Sequence, residues 1–299
     1  MTVTSTATSA PRGSMDKKRG GDFAESAFRT VLVFSMALAL LVLATLLIQV
    51  TIKGWPRLNL ALLTNFPSSL PTRAGGQSAI FGTLWVVGTA ALLTIPTGVA
   101  AAIYLEEYAD QTRWFNRLLE LNIQNLAGVP SIIYGILGLG LIVRGFLGFG
   151  FTVKAAAVTL SLLILPTVII ASREALRGVP GSLRLASLAL GATKWQTTWK
   201  QVLPAAIPGI ATGTILALSR AIGEAAPLVL LGGLTFITFN PTGLNSAFTV
   251  LPIQIFNYIQ RPQDEYRVVA AALIVVLLVI LLLMNSVAIY LRNRFSKEW

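Results

Sequence analysis

The sequence predicts an all-α membrane protein with six transmembrane helices. Three observations support this fold class: the composition, the length of the apolar stretches and the uneven distribution of positive charge. The 299 residues are 55% hydrophobic and only 12% charged, and the mean hydropathy is +0.73. Because a soluble domain has about 25% charged residues, this composition excludes a soluble enzyme or a soluble structural protein.

The composition also limits the chemistry of the chain. It has no cysteine and no histidine, which excludes disulfides, thiol chemistry and the usual ligands of transition metals. The net charge is +11, but lysine and arginine collect on the cytoplasmic side of membrane spans for topological reasons. The sequence therefore gives no reason to expect nucleic-acid binding.

Residues 1–27 are rich in Ser, Thr and Gly and include a short basic run, which predicts a disordered cytoplasmic tail. The apolar stretch that follows is too long for a signal peptide and has no clear cleavage site, so it is expected to be an uncleaved first span.

Six stretches reach the length of about 20 apolar residues that a span requires. The third stretch contains Pro130 and several glycines, which predicts a helix that packs inside the bundle rather than against lipid. The predicted spans cover residues 28–52, 78–105, 122–144, 153–172, 205–233 and 268–291.

The basic residues predict the orientation. With six spans both termini lie on one side, and that side holds fifteen of the 23 lysines and arginines. The opposite side holds seven, and the remaining one, Arg220, lies inside the fifth span. Both termini are therefore expected in the cytoplasm.

The fifth span carries two charges. Arg220 lies near its middle, where an arginine costs about 2.5–3.5 kcal/mol on insertion scales, and Glu224 follows at a spacing that allows an ion pair. On a helix, one face with an arc of about 80° would carry both charges, Pro227 and the small residues Gly209, Gly213 and Ala217. This face is therefore expected to contact protein or a water-filled path. Two interpretations stay open: a neutral pair that holds two helices together, or an anion site in which Glu224 moderates the field of Arg220.

Two cytoplasmic connections carry further signals. The acidic connection at residues 106–120 is interpreted either as a solvated turn or as a contact with a partner. The connection at residues 173–204 is long for adjacent spans, and it contains two helix-compatible runs separated by Gly191. In the second run Trp195 and Trp199 lie on one face. This loop is interpreted either as a helical hairpin at the lipid interface or as a docking surface for a soluble partner.

The same loop resembles the cytoplasmic loop of ABC importer permeases. The family pattern is Glu-Ala-Ala, three residues, Gly, nine residues, Ile, one residue and Leu-Pro. Here the matching stretch begins at Leu185 and ends at Pro204 with the full spacing, but Leu185 replaces the glutamate and Gln201 the isoleucine. Glu174 lies eleven residues too early to replace the missing acid. Residues 103–108, 128–135 and above all 219–227 (Ser-Arg-Ala-Ile-Gly-Glu-Ala-Ala-Pro) are similar to the phosphate permeases of this family.

The resemblance implies the type I ABC importer permease fold in a bacterial plasma membrane, and a permease subunit that carries phosphate and binds no cofactor itself. It implies two copies of an ATPase subunit that bind ATP and Mg, a second permease subunit, an extracytoplasmic phosphate-binding protein and contact with membrane lipid. The loop would then dock on the ATPase. The docking residues that match the pattern are Leu185, Ala186, Ser187, Leu188, Gly191, Ala192, Leu203 and Pro204.

The chain itself contains no Gly-x-x-x-x-Gly-Lys-[Ser/Thr] loop to hold a nucleotide and no cluster of residues typical of catalysis. It is therefore expected not to be an enzyme. Two alternatives remain: an ABC importer permease for another oxyanion or small solute, and an ion-coupled transporter that works alone. The second would require ionisable residues or broken helices in matched halves of the chain, whereas the two charges found within the spans lie in one span.

Overall fold

A computed structural model describes residues 19–110, 112–233 and 236–295. Residues 1–18 of the predicted tail lie outside the described residues. The chain divides into two compact units, residues 1–49 and 50–299. The described part of the first unit belongs to the long helix α1, Arg19–Gly54, so the last nine residues of the predicted disordered tail are helical instead. The physical reason is that the hydrogen bonds of the first span continue into residues such as Ala24, Glu25 and Ala27, which favour helix.

In the described residues of the second unit, every element of regular secondary structure is a helix. Three π-helical segments follow or join the α-helices: Tyr104–Tyr108 after α3, Gly138–Val143 after α5, and Thr198–Val202 between α8 and α9. The α-helices are α2 Leu60–Thr64, α3 Gln77–Ile103, α4 Trp114–Ala127, α5 Ser131–Leu137, α6 Val153–Arg177, α7 Gly181–Ala189, α8 Lys194–Thr197, α9 Leu203–Gly223, α10 Ala226–Leu230, α11 Leu251–Ile259 and α12 Asp264–Phe295.

Helix α6 forms the centre of this unit and packs against both α3 and α9. Its contact with α9 is close because small residues face each other. A Cβ atom added to Gly209 would lie 2.7 Å from the Cβ of Ala175, and one added to Gly213 would lie 2.3 Å from the Cβ of Ala171. The small-residue face predicted for the fifth span therefore packs against protein, as is usual for membrane helices.

The third predicted span, 122–144, is wrong as a single helix. It is a bent pair, Trp114–Ala127 and Ser131–Val143, with an angle of 104° between the two arms. The break falls at Pro130, which has no N–H to continue the helix and which disfavours the helical conformation of Val129. The first arm also begins inside the stretch that was assigned to the connection at 106–120.

The fifth predicted span, 205–233, is also different. Its helix ends at Gly223, Glu224 is extended with φ −76° and ψ 109°, and the short helix α10 begins at Ala226. The change occurs because Pro227 cannot donate to the carbonyl of Gly223 and restrains the residue before it. The single helical face predicted to carry both charges and Pro227 therefore stops at Gly223.

Five helices in the described residues are long and apolar enough to cross a membrane, and the bent pair makes a sixth if it is one span. The second, fourth and sixth predicted spans correspond to α3, α6 and α12, and each of these helices extends to or beyond the predicted limits once the π-helical end of α3 is included. The result is an all-helical membrane protein, as the sequence predicts.

Candidate functional site

The predicted docking loop is a helical hairpin. Helix α7 ends at Ala189, and the chain turns at Gly191 with a φ of +84°, a conformation that favours glycine. Thr193 then starts α8 with a capping box, because its hydroxyl accepts from the Gln196 backbone N–H and the Gln196 side chain accepts from the Thr193 N–H. The two helices are joined by the hydroxyls of Ser187 and Thr197, 2.9 Å apart.

Helix α7 presents an apolar outer face. Leu185 is 70% exposed, Leu190 is 90% exposed, and Leu188 and Ala186 are also exposed. None of the residues of α7 is buried in this chain. A short helix with several exposed leucines is the kind of surface that a partner protein covers.

Leu203 and Pro204 lie apart from this outer face. They form the start of α9, where Leu203 packs beside the buried Val202 and Ala206. Leu203 also lines a groove of about 630 Å³ together with Trp195, Trp199 and apolar residues of α3. The two tryptophans lie on one face, as predicted, with ring centroids 5.1 Å apart.

A network of ion pairs behind the hairpin was not predicted. The acids belong to the connection at 106–120, and the arginines belong to α6 and α7. Arg173 is 7% exposed and lies 3.3 Å from Glu106 and 3.0 Å from Glu120, while Arg177 lies 2.9 Å from Glu106. A separate ion pair joins Arg184 of α7 to Glu107, at 2.7 Å.

These acids are therefore neither a solvated turn nor, in this chain, an open surface for a partner. The signal that could have revealed the network is the opposite charge of two connections that were both assigned to the cytoplasmic side. Asp110, in contrast, is exposed, and hydrogen bonds from the side chain and backbone of Thr112 lower the pKa of its carboxyl group.

Arg220 and Glu224 form the pair that their spacing predicts. The Arg220 Nε atom donates to the Glu224 Oε1 atom at 3.2 Å, although Glu224 lies just beyond the helix. The Arg220 side chain is 53% exposed, and that of Glu224 is 16% exposed. Among the described residues no hydrogen bond from the two Nη atoms of Arg220 is seen, and more than half of the side chain is exposed.

The described residues offer an exposed cation at Arg220 but no group that resembles a metal centre. Within the described ranges no set of three or more Asp, Glu, His or Cys side chains lies close enough to hold a metal ion. What the site can do chemically is bind an anion at the Arg220 donors, because a guanidinium offers parallel N–H groups that match two oxygens.

Comparison with known proteins identifies the family of the chain. Residues 94–297 match the family described as "Binding-protein-dependent transport system inner membrane component". The chain belongs to this family. Its members are inner-membrane permease components of ABC transporters, so the chain is a multi-pass membrane permease and not an ion-coupled transporter that works alone. The family, the helical fold and the permease function predicted from the sequence are confirmed.

Several curated relatives cover most of the chain. The "Phosphate transport system permease protein PstA 1" of Mycobacterium tuberculosis is 36% identical over 233 residues, which is 77% of this chain and 74% of the relative. The PstA protein of Haemophilus influenzae is 32% identical over 79% of this chain and 82% of its own length. The "Probable ABC transporter permease protein YqgI" of Bacillus subtilis is 33% identical over 72% of each chain.

Solved structures share the fold at lower identity. One chain of the MetNI methionine ABC transporter in an inward-facing conformation is 20% identical, with a TM-score of 0.59 over 73% of this chain and 95% of that chain. A chain of a bacterial alginate ABC transporter in complex with its periplasmic protein is 16% identical, with a TM-score of 0.63 over 91% and 98%. Both belong to importers of the type I class, so the predicted fold class is confirmed.

Proposed function

We propose that this permease is a subunit of an ATP-driven phosphate importer. The observation that carries the proposal is the identity of 36% over 233 residues to a relative named as a phosphate transport permease. The geometry of Arg220 supports the same substrate. Its Nε atom is engaged by Glu224, while the two Nη atoms keep the parallel arrangement that suits two phosphate oxygens.

The partial exposure of the Arg220–Glu224 ion pair suits an anion that binds transiently and is then released. An arginine alone in a low-dielectric path would bind a multiply charged anion too tightly for release, because Coulomb attraction grows as the dielectric constant falls. A carboxylate 3.2 Å away offsets part of the positive field. Arg220 and Glu224 together therefore provide a site that an anion enters and leaves.

Hydrolysis of ATP belongs, in this proposal, to a separate cytoplasmic ATPase dimer that holds ATP and Mg. The exposed leucines of α7 are the surface on which one ATPase subunit docks. Because Leu185 replaces the acid of the family pattern, this contact relies on apolar packing, which carries most of the energy of a small docking surface. A second permease subunit completes the path, and an extracytoplasmic binding protein delivers phosphate.

The lysine and arginine count supports an orientation with both termini and the α7–α8 hairpin in the cytoplasm. Protease treatment of sealed right-side-out and inside-out vesicles checks it, with a tag at the carboxyl terminus. Cleavage of the tag only in inside-out vesicles is the expected result, and cleavage only in right-side-out vesicles contradicts the orientation.

The substrate is tested by competition in vesicles that contain the co-expressed complex. ATP-dependent uptake of labelled phosphate is expected, with little inhibition by excess sulfate, because phosphate keeps at least one hydroxyl donor at neutral pH and sulfate has none. Uptake of another oxyanion in place of phosphate would keep the permease and contradict the substrate. Purification in mild detergent is expected to retain the ATPase subunit, and its absence from a stable permease preparation would contradict the docking surface.

A further inference from the structure

We propose that Glu107 and Arg184 form a joint that passes movement of the docking helix α7 into the membrane helix α3. The inference rests on the proposed function, because it assigns these two positioning residues to the coupling between the ATPase and the transport path. Neither residue contacts the anion site, and neither belongs to the exposed docking face.

The joint ties three elements with one guanidinium group. Arg184, in the middle of α7, donates to the Glu107 carboxylate from Nη2 at 2.7 Å and from Nε at 3.2 Å. Its Nη1 atom donates to the backbone oxygen of Val179 at 2.8 Å, and Nη2 also donates to that of Leu176 at 2.8 Å. The Glu107 side chain is only 9% exposed. A bidentate, partly buried pair of this kind fixes both distance and orientation.

The joint matters because α7 has few other attachments to the chain. No residue of this nine-residue helix is fully buried, although the partly buried Leu183 packs against the hydrophobic core. The side-chain hydrogen bonds of α7 in the described structure come from Arg184 and from Ser187, whose hydroxyl pairs with that of Thr197. A displacement of α7 by a partner is therefore transmitted to the turn at the end of α3 through the Arg184 guanidinium, which is the only charged group that α7 directs at that turn in the described residues.

The segment that holds Glu107 is π-helical. Glu107 lies in the π-helical turn Tyr104–Tyr108 that ends α3, closed by a hydrogen bond from the Ala109 N–H to the Tyr104 oxygen at 2.8 Å. Within this turn the neighbouring carboxylates contact different helices: Glu107 contacts α7, and Glu106 contacts Arg173 and Arg177 of α6. The same turn thus connects the docking helix with the central helix of the bundle, and π-helical segments often occur at functional positions.

The test compares two variants of the joint with a matched control in the purified, reconstituted complex. Glu107→Gln removes the charge but keeps the shape, and Arg184→Lys keeps the charge but loses the bidentate contact. Glu174→Gln is the control, since it removes a carboxylate from an exposed pair with Arg177 on the same side of the protein. Phosphate transported per ATP hydrolysed and the amount of ATPase subunit in the complex are both measured.

The expected result is that both joint variants keep the ATPase subunit and continue to hydrolyse ATP, while phosphate per ATP falls roughly fivefold or more. In the double variant, phosphate per ATP is expected to fall no further than in the more impaired single variant, because the two residues act as one unit. An unchanged ratio overturns the proposal. So does loss of the ATPase subunit in both joint variants, because the pair would then serve docking or folding only.

A second measurement tests the joint without measuring transport. It therefore distinguishes an incorrect joint from an incorrect proposed function. Amide hydrogen exchange is followed in the full purified chain. Faster exchange in residues 181–189 and 104–108 together is expected in Glu107→Gln and not in Glu174→Gln. If wild-type vesicles take up no phosphate, the proposed substrate is wrong; if exchange in the two segments is unchanged by Glu107→Gln, the joint is wrong.

Discussion

The contact between α6 and α9 depends on Gly213, and Gly213→Ala is predicted to destabilise the protein. The new Cβ atom would lie 2.3 Å from the Cβ of Ala171, whereas two carbon atoms pack well at about 3.5–4.0 Å. Neither atom belongs to a flexible side chain, so the two helices themselves have to separate. Overpacking of this kind lowers the free energy of unfolding by about 1–3 kcal/mol. The higher helix propensity of alanine offsets less than about 1 kcal/mol of this loss.

Reversible unfolding of the purified chain in mixed micelles measures the change in unfolding free energy. Two further variants make the result specific. Gly223→Ala in the same helix meets no atom within 4 Å and is expected to leave stability unchanged or to raise it by less than about 1 kcal/mol. Combining Gly213→Ala with Ala171→Gly removes the opposing Cβ atom and is expected to restore most of the loss. Equal stability of Gly213→Ala and wild type, or a double variant less stable than Gly213→Ala alone, refutes the packing argument.

Two further predictions concern the docking helix α7 and the short helix α11. Leu188→Asp is expected to lower the amount of ATPase that co-purifies by at least about tenfold, because it places a charge in an apolar contact. Ser182→Asp, exposed in the first turn of the same helix, is the control. Equal loss in both variants contradicts the docking face. Tyr258→Phe is expected to lower the unfolding free energy by about 1–3 kcal/mol, since the buried Tyr258 hydroxyl donates to the Gly75 oxygen at 2.9 Å. Burial raises the pKa of the Tyr258 hydroxyl, so the stability from this hydrogen bond is present at neutral pH and is lost only as pH rises above the usual range for tyrosine. Unfolding of wild type and Tyr258→Phe at neutral and alkaline pH measures the difference in unfolding free energy. Identical stability of the two proteins at neutral pH contradicts the prediction.

The parts of the fold that depend on local sequence could be predicted. Apolar length alone located α3, α6 and α12, and Gly191 located the turn of the docking hairpin because a positive φ favours glycine there. The pairing of Arg220 with Glu224 followed from their spacing along the chain. Each of these features is determined by residues that are close together in sequence.

Two of the differences between prediction and structure occur at prolines. The sequence predicts the third and fifth spans as continuous because their apolar length reaches what a span requires, although they contain Pro130 and Pro227. In both places the helix ends a few residues before the proline, where the missing N–H and the restraint on the preceding residue act together. The short helix α11 is not predicted either, since nine residues are too few for a clear pattern.

The ion-pair network could not be predicted from spacing. Arg184 and Glu107 are 77 residues apart in sequence, and Arg173 and Glu106 are 67 apart. Which acid meets which arginine depends on how α3, α6 and α7 pack. The sequence indicated opposite charges on one side of the membrane, but the partners follow only from the tertiary structure.

The measurement that tests the central claim most directly is ATP-dependent uptake of labelled phosphate by the complex with Arg220→Gln. Arg267→Gln is a matched control, because Arg267 also pairs with an acid close to it in sequence, at 2.8 Å from Asp264, and its side chain is similarly exposed at 51%. The account predicts that Arg220→Gln assembles with its partners and loses most phosphate uptake, while Arg267→Gln transports like the wild type. Uptake by an assembled Arg220→Gln complex equal to that of the wild type would contradict the anion site and leave Arg220 with a structural role.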